Sequence, residues 1–358
     1  MRAGTPAEQG FYMPAEWETH TATWLAWPHN AEDWPGKFEP IPWVYAEIIR
    51  ALTQHERVRL LVRTAAEKTK VRKILALAGV NLAKVDFYLI PTDRVWTRDS
   101  GPTFLVRGTG KRHDKLLLDW KFNAWAKYPN HLKDDKVPQA IAAELGLPVV
   151  RPVFEKKGKP VRVVLEGGAI DVNGKGTLIT TEECLLSKVQ ARNPALTRGE
   201  MEQVFAEYLG IRQVIWLGKG IVGDDTHGHV DDITRFVNAT TVVTVSEPNP
   251  RDPNHSLLKE NVVRLKKARD QQGRQLDVVE LPMPRPVMFE GTRLPASYAN
   301  FLIANKVVIV PTFNDANDRV ALNLLAELFP GREIIGIHAV DLVWGLGTLH
   351  CLSQQEPA

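Results

Sequence analysis

Cysteine is almost absent from this chain. Only Cys184 and Cys351 occur in 358 residues, which excludes a disulfide framework and fits a reducing compartment. Long apolar runs are missing too. No stretch reaches membrane-spanning length, and the opening "MRAGTPAEQGFYMPAEWETH" has no apolar signal core. The expectation is a cytoplasmic protein without a membrane partner. Charge of one sign is not in excess: 45 Lys and Arg face 42 Asp and Glu, a net charge of +3. With no block of like charge, a basic nucleic-acid groove is excluded. No segment is rich enough in Pro, Ser or Gly to serve as a linker. The Trp/Pro-rich run "HNAEDWPGKFEPIPW" is short and reads as a loop. One closed α/β domain over residues 1–358 is expected.

What is present is periodicity. Amphipathic helix patterns run straight into short β-branched strands: "VYAEIIRALTQ" into "VRLLV", "AEKTKVRKILALAG" into "VDFYLIP", "VPQAIAAELG" into "LPVVRPV". The pattern recurs as "MEQVFAEYLG" into "RQVIWLG", "LLKENVVRLKKARDQQG" into "LDVVELP" and "LNLLAELFPG" into "EIIGIHAV". Between these pairs lie strand pairs that turn at "GTGK", "NGKG", "NAT" and "ANK". The order strand, strand, helix, strand recurs about five times at roughly 65 residues per unit, which signals a repeat of architecture. Hairpins between the helices argue against an all-parallel, doubly wound sheet.

Each hairpin opens on polar residues where burial calls for apolar ones. Asp99 follows Arg98 and Trp96 in "VWTRDSGPTF"; in isolation it reads equally as a surface ion-pair or turn residue and as a site residue. Glu166 ends the apolar run of "VVLEGGAI", and a charge there points to a site. His and Asp crowd "GDDTHGHVDDITRFV". Asn300 interrupts "ASYANFLI", and Cys351 closes "GLGTLHC". If the units close around an axis, these five strand starts meet at one end of it. His350 reads as a turn or packing residue. Cys184, in "TEECLLSKV", reads as an inert core thiol at a helix start.

The stretch "HGHVDD" supports two chemistries. As a strand, its His-x-His-x-Asp pattern would present alternate side chains on one face and suit a metal-dependent hydrolase. Asp232 then stands where a further histidine would be wanted. Without a metal, His229 serves as an acid/base and Asp231 as a substrate anchor, with His227 structural. Cys351 and a histidine fit nucleophilic catalysis. Asp99, Glu166 and Asp231, with Asp225, carry more negative charge than an acyl-transfer site tolerates. They suit a guanidinium, which is always cationic and presents a fork that matches carboxylates.

Several long motifs now occur in one order: "MPAEWETHTATWLAWPHN", "WTRDSGPTF", "LEGGAIDVNGKGTLITTEECLL", "GHVDDITRF", "LPASYANFLIANKVVIVPTFND" and "GLGTLHCLSQQEP". Together they resemble the agmatine deiminase family, related to the bacterial peptidyl-arginine deiminases within the guanidine-modifying (pentein) superfamily. The resemblance implies a five-bladed, pseudo-symmetric α/β propeller, no metal and no organic cofactor. It implies Cys351 as nucleophile, His229 as general acid/base, Glu166 as the partner of that histidine, and Asp99 and Asp231 as the guanidinium clamp. Trp96 and Asn300 are implied pocket residues, and Asp225, four residues before His229, is placed to meet a distal amine. The implied partner is a small guanidinium substrate, agmatine ahead of free or peptidyl arginine. A homo-oligomer is left open. Leu346, Asp232 and His227 depart from the residues usual in that family.

Overall fold

The computed structural model describes residues 4–108 and 114–358. All six helix-to-strand pairs read from periodicity are present, and they assemble into five sheets. Most of the "GTGK" turn lies outside the described residues; the two strands it joins, Thr103–Arg107 and Asp114–Leu118, do pair antiparallel.

Each sheet repeats one plan. An inner strand pairs antiparallel with its neighbour, and a helix then crosses over to a parallel outer strand, because parallel strands cannot be joined by a tight turn. In the third sheet Asp171–Val172 pairs with Thr177–Thr181, and Arg198–Leu209 crosses over to Gln213–Leu217. That helix starts on a capping box between Thr197 and Glu200 and stops at Gly210, whose φ of +72° suits glycine. The fourth sheet uses Thr234–Phe236, Thr241–Ser246 and Asp277–Pro282, and the fifth Leu302–Ala304, Val307–Thr312 and Glu333–His338. Inner strands such as Leu302–Ala304 are wholly buried, whereas outer strands such as Glu333–His338 are mostly exposed or half-buried.

The first sheet borrows its inner strand from the far end of the chain. Ser353–Pro357 pairs antiparallel with His20–Ala26, running from Leu25 opposite Ser353 to His20 opposite Pro357. Contacts then pass from sheet to sheet around a ring. Ser353–Pro357 lies against Thr103–Arg107, and Lys121 bridges to Val164. Asp171 Oδ1 accepts from Phe236 N at 3.0 Å, and Arg235 Nη1 donates to Phe301 O at 2.8 Å. Asn305 Oδ1 accepts from His20 N at 3.0 Å and closes the circle. The fold is a five-bladed α/β propeller closed by its last strand. Among the described residues no helix is long and apolar enough to cross a membrane.

A chain ending at Leu352 keeps Cys351 but loses this closing strand. Its melting temperature is expected to fall by roughly 5–10 °C, with loss of activity, measured by calorimetry beside the full chain. An unchanged transition would mean that the ring does not depend on its clasp.

Candidate active site

The five turns that precede the inner strands carry the polar residues to one place. Thr97–Ser100 precedes Thr103–Arg107 and holds Asp99. Glu166 precedes Asp171–Val172, Val230–Asp232 precedes Thr234–Phe236, Asn300 precedes Leu302–Ala304, and Cys351 precedes Ser353–Pro357. The turns are stitched together: Arg98 N donates to Cys351 O at 3.2 Å, and Thr97 Oγ1 donates to Leu352 O. A cavity of about 250 Å³ opens above them, walled by Trp96, Trp125, Tyr128 and Leu346, with Asp99 and Cys351 at its base and Asp225 at its side.

Cys351 Sγ lies 3.1 Å from Asn300 Nδ2 and 3.6 Å from Asp231 Oδ2. Asn300 also donates to Asp232 Oδ1 at 3.0 Å and accepts from Thr348 Oγ1 and His350 N. It therefore fixes the turn that carries the thiol. Burial, then Asp231, Asp232 and Asp99, push the Cys351 pKa well above the usual thiol value. Burial and Asp231 likewise raise Asp232 well above the carboxylate range.

Asp99 spends both oxygens on uncharged donors, Trp125 Nε1 at 2.9 Å and Gly168 N at 3.0 Å. Asp231 Oδ2 accepts from His350 at 2.7 Å, while among the described residues its Oδ1 has no hydrogen-bond partner. His229 stands behind the base of the cavity, fully buried. Its Nε2 is 3.6 Å from Glu166 Oε2, and its Nδ1 is 3.9 Å from both Asp99 Oδ2 and Asp231 Oδ1. Burial alone would lower its pKa, but Asp99, Cys184 and Glu166 carry it well above the ordinary histidine value. Glu166 is lowered to about 2: burial raises it, and Arg192, at 3.0 Å, followed by His229, outweighs that. Gly168 is obligatory here. A Cβ on it would come within 2.5 Å of His229 Nδ1 and 3.0 Å of oxygens of Asp99 and Asp231.

Several expectations from sequence are corrected. Arg98 and Asp99 are neither a surface pair nor exposed; both are buried, and Arg98 donates to Gln355 Oε1 at 2.6 Å. "HGHVDD" is a turn, not a strand, because Asp224 accepts from the backbone of Thr226, Gly228 and His229. His227 consequently turns away, with Nε2 on Ser187 Oγ at 3.1 Å, so the paired-histidine ligand face does not form. Among the described residues two donor triads do converge, Glu166–Cys184–His229 and Asp231–Asp232–Cys351. In the first, Arg192 already neutralises Glu166. Cys184 is a buried helix-start thiol as expected, but it also borders His229. His350 is no packing residue: its ring bridges Asp231 and Glu16, at 2.7 and 3.0 Å. A neutral imidazole donates from one nitrogen only, so serving both carboxylates takes a second proton on the ring or one on a carboxyl group. Glu16 in turn pairs with Arg235. Asp225 does flank the cavity, but its carboxylate is engaged by Lys127 and by Tyr128 Oη at 2.7 Å.

Residues 12–357 match the family model described as Porphyromonas-type peptidyl-arginine deiminase. The chain is 36% identical to an agmatine deiminase of Ectopseudomonas mendocina, covering 99% of this chain and 97% of that one. Its structure resembles the agmatine deiminase of Enterococcus faecalis, with a TM-score of 0.88, 32% identity and coverage of 100% and 98%. It also resembles a substrate-bound agmatine deiminase of C. jejuni, with a TM-score of 0.83, 28% identity and coverage of 97% and 96%. The chain belongs to the Porphyromonas-type peptidyl-arginine deiminase family.

Proposed function

We propose that this protein is an agmatine deiminase, converting agmatine and water to N-carbamoylputrescine and ammonia, a step toward putrescine. One observation carries the reading: a thiol and a carboxylate, Cys351 and Asp99, line one cavity with Trp96 and Trp125, and Asp231 and the His229–Glu166 pair lie within 4 Å of them. The names of the relatives supply the substrate.

In this mechanism Asp99 and the unpaired Oδ1 of Asp231 hold the planar guanidinium and fix its central carbon near Cys351 Sγ. The cation then offsets the carboxylates that hold the thiol protonated, so the thiol gives its proton to solvent water as the thiolate forms, and the thiolate regains one after product leaves. Sulfur attacks, and a neutral tetrahedral adduct forms. His229, protonated through Asp99, Cys184 and Glu166, gives its proton to the departing nitrogen, and ammonia leaves. An S-alkylthiouronium remains. The neutral His229 takes a proton from water, the hydroxide adds to the same carbon, and the C–S bond breaks. The ureido product and the thiolate separate, and the hydroxyl proton balances the ammonia as ammonium. Trp96 and Trp125 enclose the reacting group, and Asn300 orients the thiol. These roles require neither a metal nor an organic cofactor.

The direct test is ammonia release from agmatine, free arginine and a blocked peptidyl arginine, with and without a chelator. Chelator-insensitive release from agmatine that vanishes in Cys351→Ala is expected. Release from arginine or its peptide alone would keep the chemistry and change the substrate. Activity that survives Cys351→Ala but dies with the chelator would overturn the thiol mechanism.

A second prediction concerns proton transfer. Glu166→Gln removes a negative neighbour that holds the His229 proton, so the pKa of His229 falls. Turnover should drop by roughly 10²–10⁴-fold, and the basic limb of the pH–rate profile should move to lower pH. A basic limb left in place would detach Glu166 from the acid role.

A further inference from the structure

The segment between Asn123 and Tyr128 supplies more than the Trp125 wall. Ala124, Trp125 and Ala126 have φ of 49°, 58° and 55°. Three consecutive non-glycine residues in the left-handed region are strained, and such strain persists only where surrounding contacts enforce it. The contacts run to two carboxylates. Trp125 Nε1 donates to Asp99 at 2.9 Å. Lys127 Nζ pairs with Asp225 Oδ1, and Tyr128 Oη donates to Asp225 Oδ2 at 2.7 Å. Gln190 ties the backbones together, donating to Trp125 O and Asp225 O at 3.2 and 3.0 Å. Both oxygens of Asp225 are thus occupied from one strained turn, and one occupant is an ammonium.

The two donors differ in freedom. Tyr128 lies beneath the Arg94 guanidinium at 4.3 Å and edge-on to Trp125, so its hydroxyl stays in place. Burial and Asp225 raise its pKa, which keeps the proton on the oxygen. Lys127 sits on a flexible stem, and its side chain is 40% exposed against 16% for Asp225. It can leave for water without disturbing the wall. A terminal ammonium on a bound substrate would need the same Asp225 oxygen, and two ammonium groups on one carboxylate oxygen repel each other.

We propose that Lys127 is a specificity-determining internal competitor: its ammonium holds the distal-amine position on Asp225 until a cationic substrate tail displaces it. This rests on the agmatine reading and on Asp225 as the anchor of the distal amine. Lys127 raises the KM for a cationic tail and leaves the chemical step alone. A guanidine with a neutral tail does not contest Asp225 and gains nothing from removal of the lysine. A carboxylate tail would have the opposite relation to Lys127 and would be drawn to it.

The test is steady-state kinetics on folded Lys127→Met, Asp225→Asn and the double variant. The substrates are agmatine, a neutral-tailed alkylguanidine of matching length, and arginine. Lys127→Met should lower the KM for agmatine about two- to fivefold, the range of a partly exposed ion pair, with kcat held. The alkylguanidine KM should not move, and the lysine effect should vanish in the Asp225→Asn background. An unchanged or raised agmatine KM in Lys127→Met overturns the proposal; weaker arginine turnover beside a lowered agmatine KM supports it. Absence of agmatine turnover in the parent overturns the functional reading along with it. Parent turnover with an unmoved KM overturns this inference alone.

Discussion

A deficit of positive charge organises the centre of this protein. Glu16, Asp99, Glu166, Asp171, Asp231 and Asp232 are all buried around the axis, and a buried carboxylate is costly unless it is paired. Most are paired. Arg192 serves Glu166, Arg235 serves Glu16 and Asp171, and His350 serves Asp231. Asp99 accepts hydrogen bonds only from neutral donors, and among the described residues Asp231 Oδ1 accepts none; the His229 ring stands 3.9 Å from each without bonding to either. The unmet charge therefore lies at one edge, facing Cys351. A planar cation is the group that completes it. The same deficit holds the free thiol protonated, so the proposed nucleophile is restrained until such a cation arrives.

The propeller makes that arrangement affordable. Five turns, each fixed by the antiparallel pair that follows it, bring side chains from positions 96 to 351 to one end of one axis. Ridged cross-contacts such as Arg98 to Gln355 and Arg235 to Phe301 hold these turns in mutual register. Because the closing strand begins two residues after Cys351, the sulfur is positioned by the same pairing that completes the ring. The glycine at 168 shows how little space is left: the imidazole and the two carboxylates crowd the point where a Cβ would stand.

Much of this was legible in the sequence, and the parts that were not share a cause. Helix-to-strand pairs and hairpins are local patterns, so they were read directly. The outer acids and the thiol stood out because each broke an apolar pattern at a strand start. Closure of the ring, by contrast, pairs residue 20 with residue 357, and no local period reports it. Arg192 and Gly168 act through neighbours distant in sequence, and His350 gained its meaning from Glu16, more than 300 residues away. "HGHVDD" misled as a strand because Asp224, just ahead of it, captures three backbone N–H groups and folds it into a turn. The occupancy of Asp225 by Lys127 was likewise invisible, since 98 residues separate them.

The most direct test of the charge-deficit account is the ultraviolet absorbance of the Cys351 thiolate at neutral pH, titrated with a guanidinium ligand that does not react. Cys351→Ala provides the baseline. The account predicts no thiolate signal in the free protein and a saturable signal on binding, absent with a neutral urea analogue. A thiolate already present without ligand, or a thiol that stays protonated when the guanidinium is bound, would contradict it.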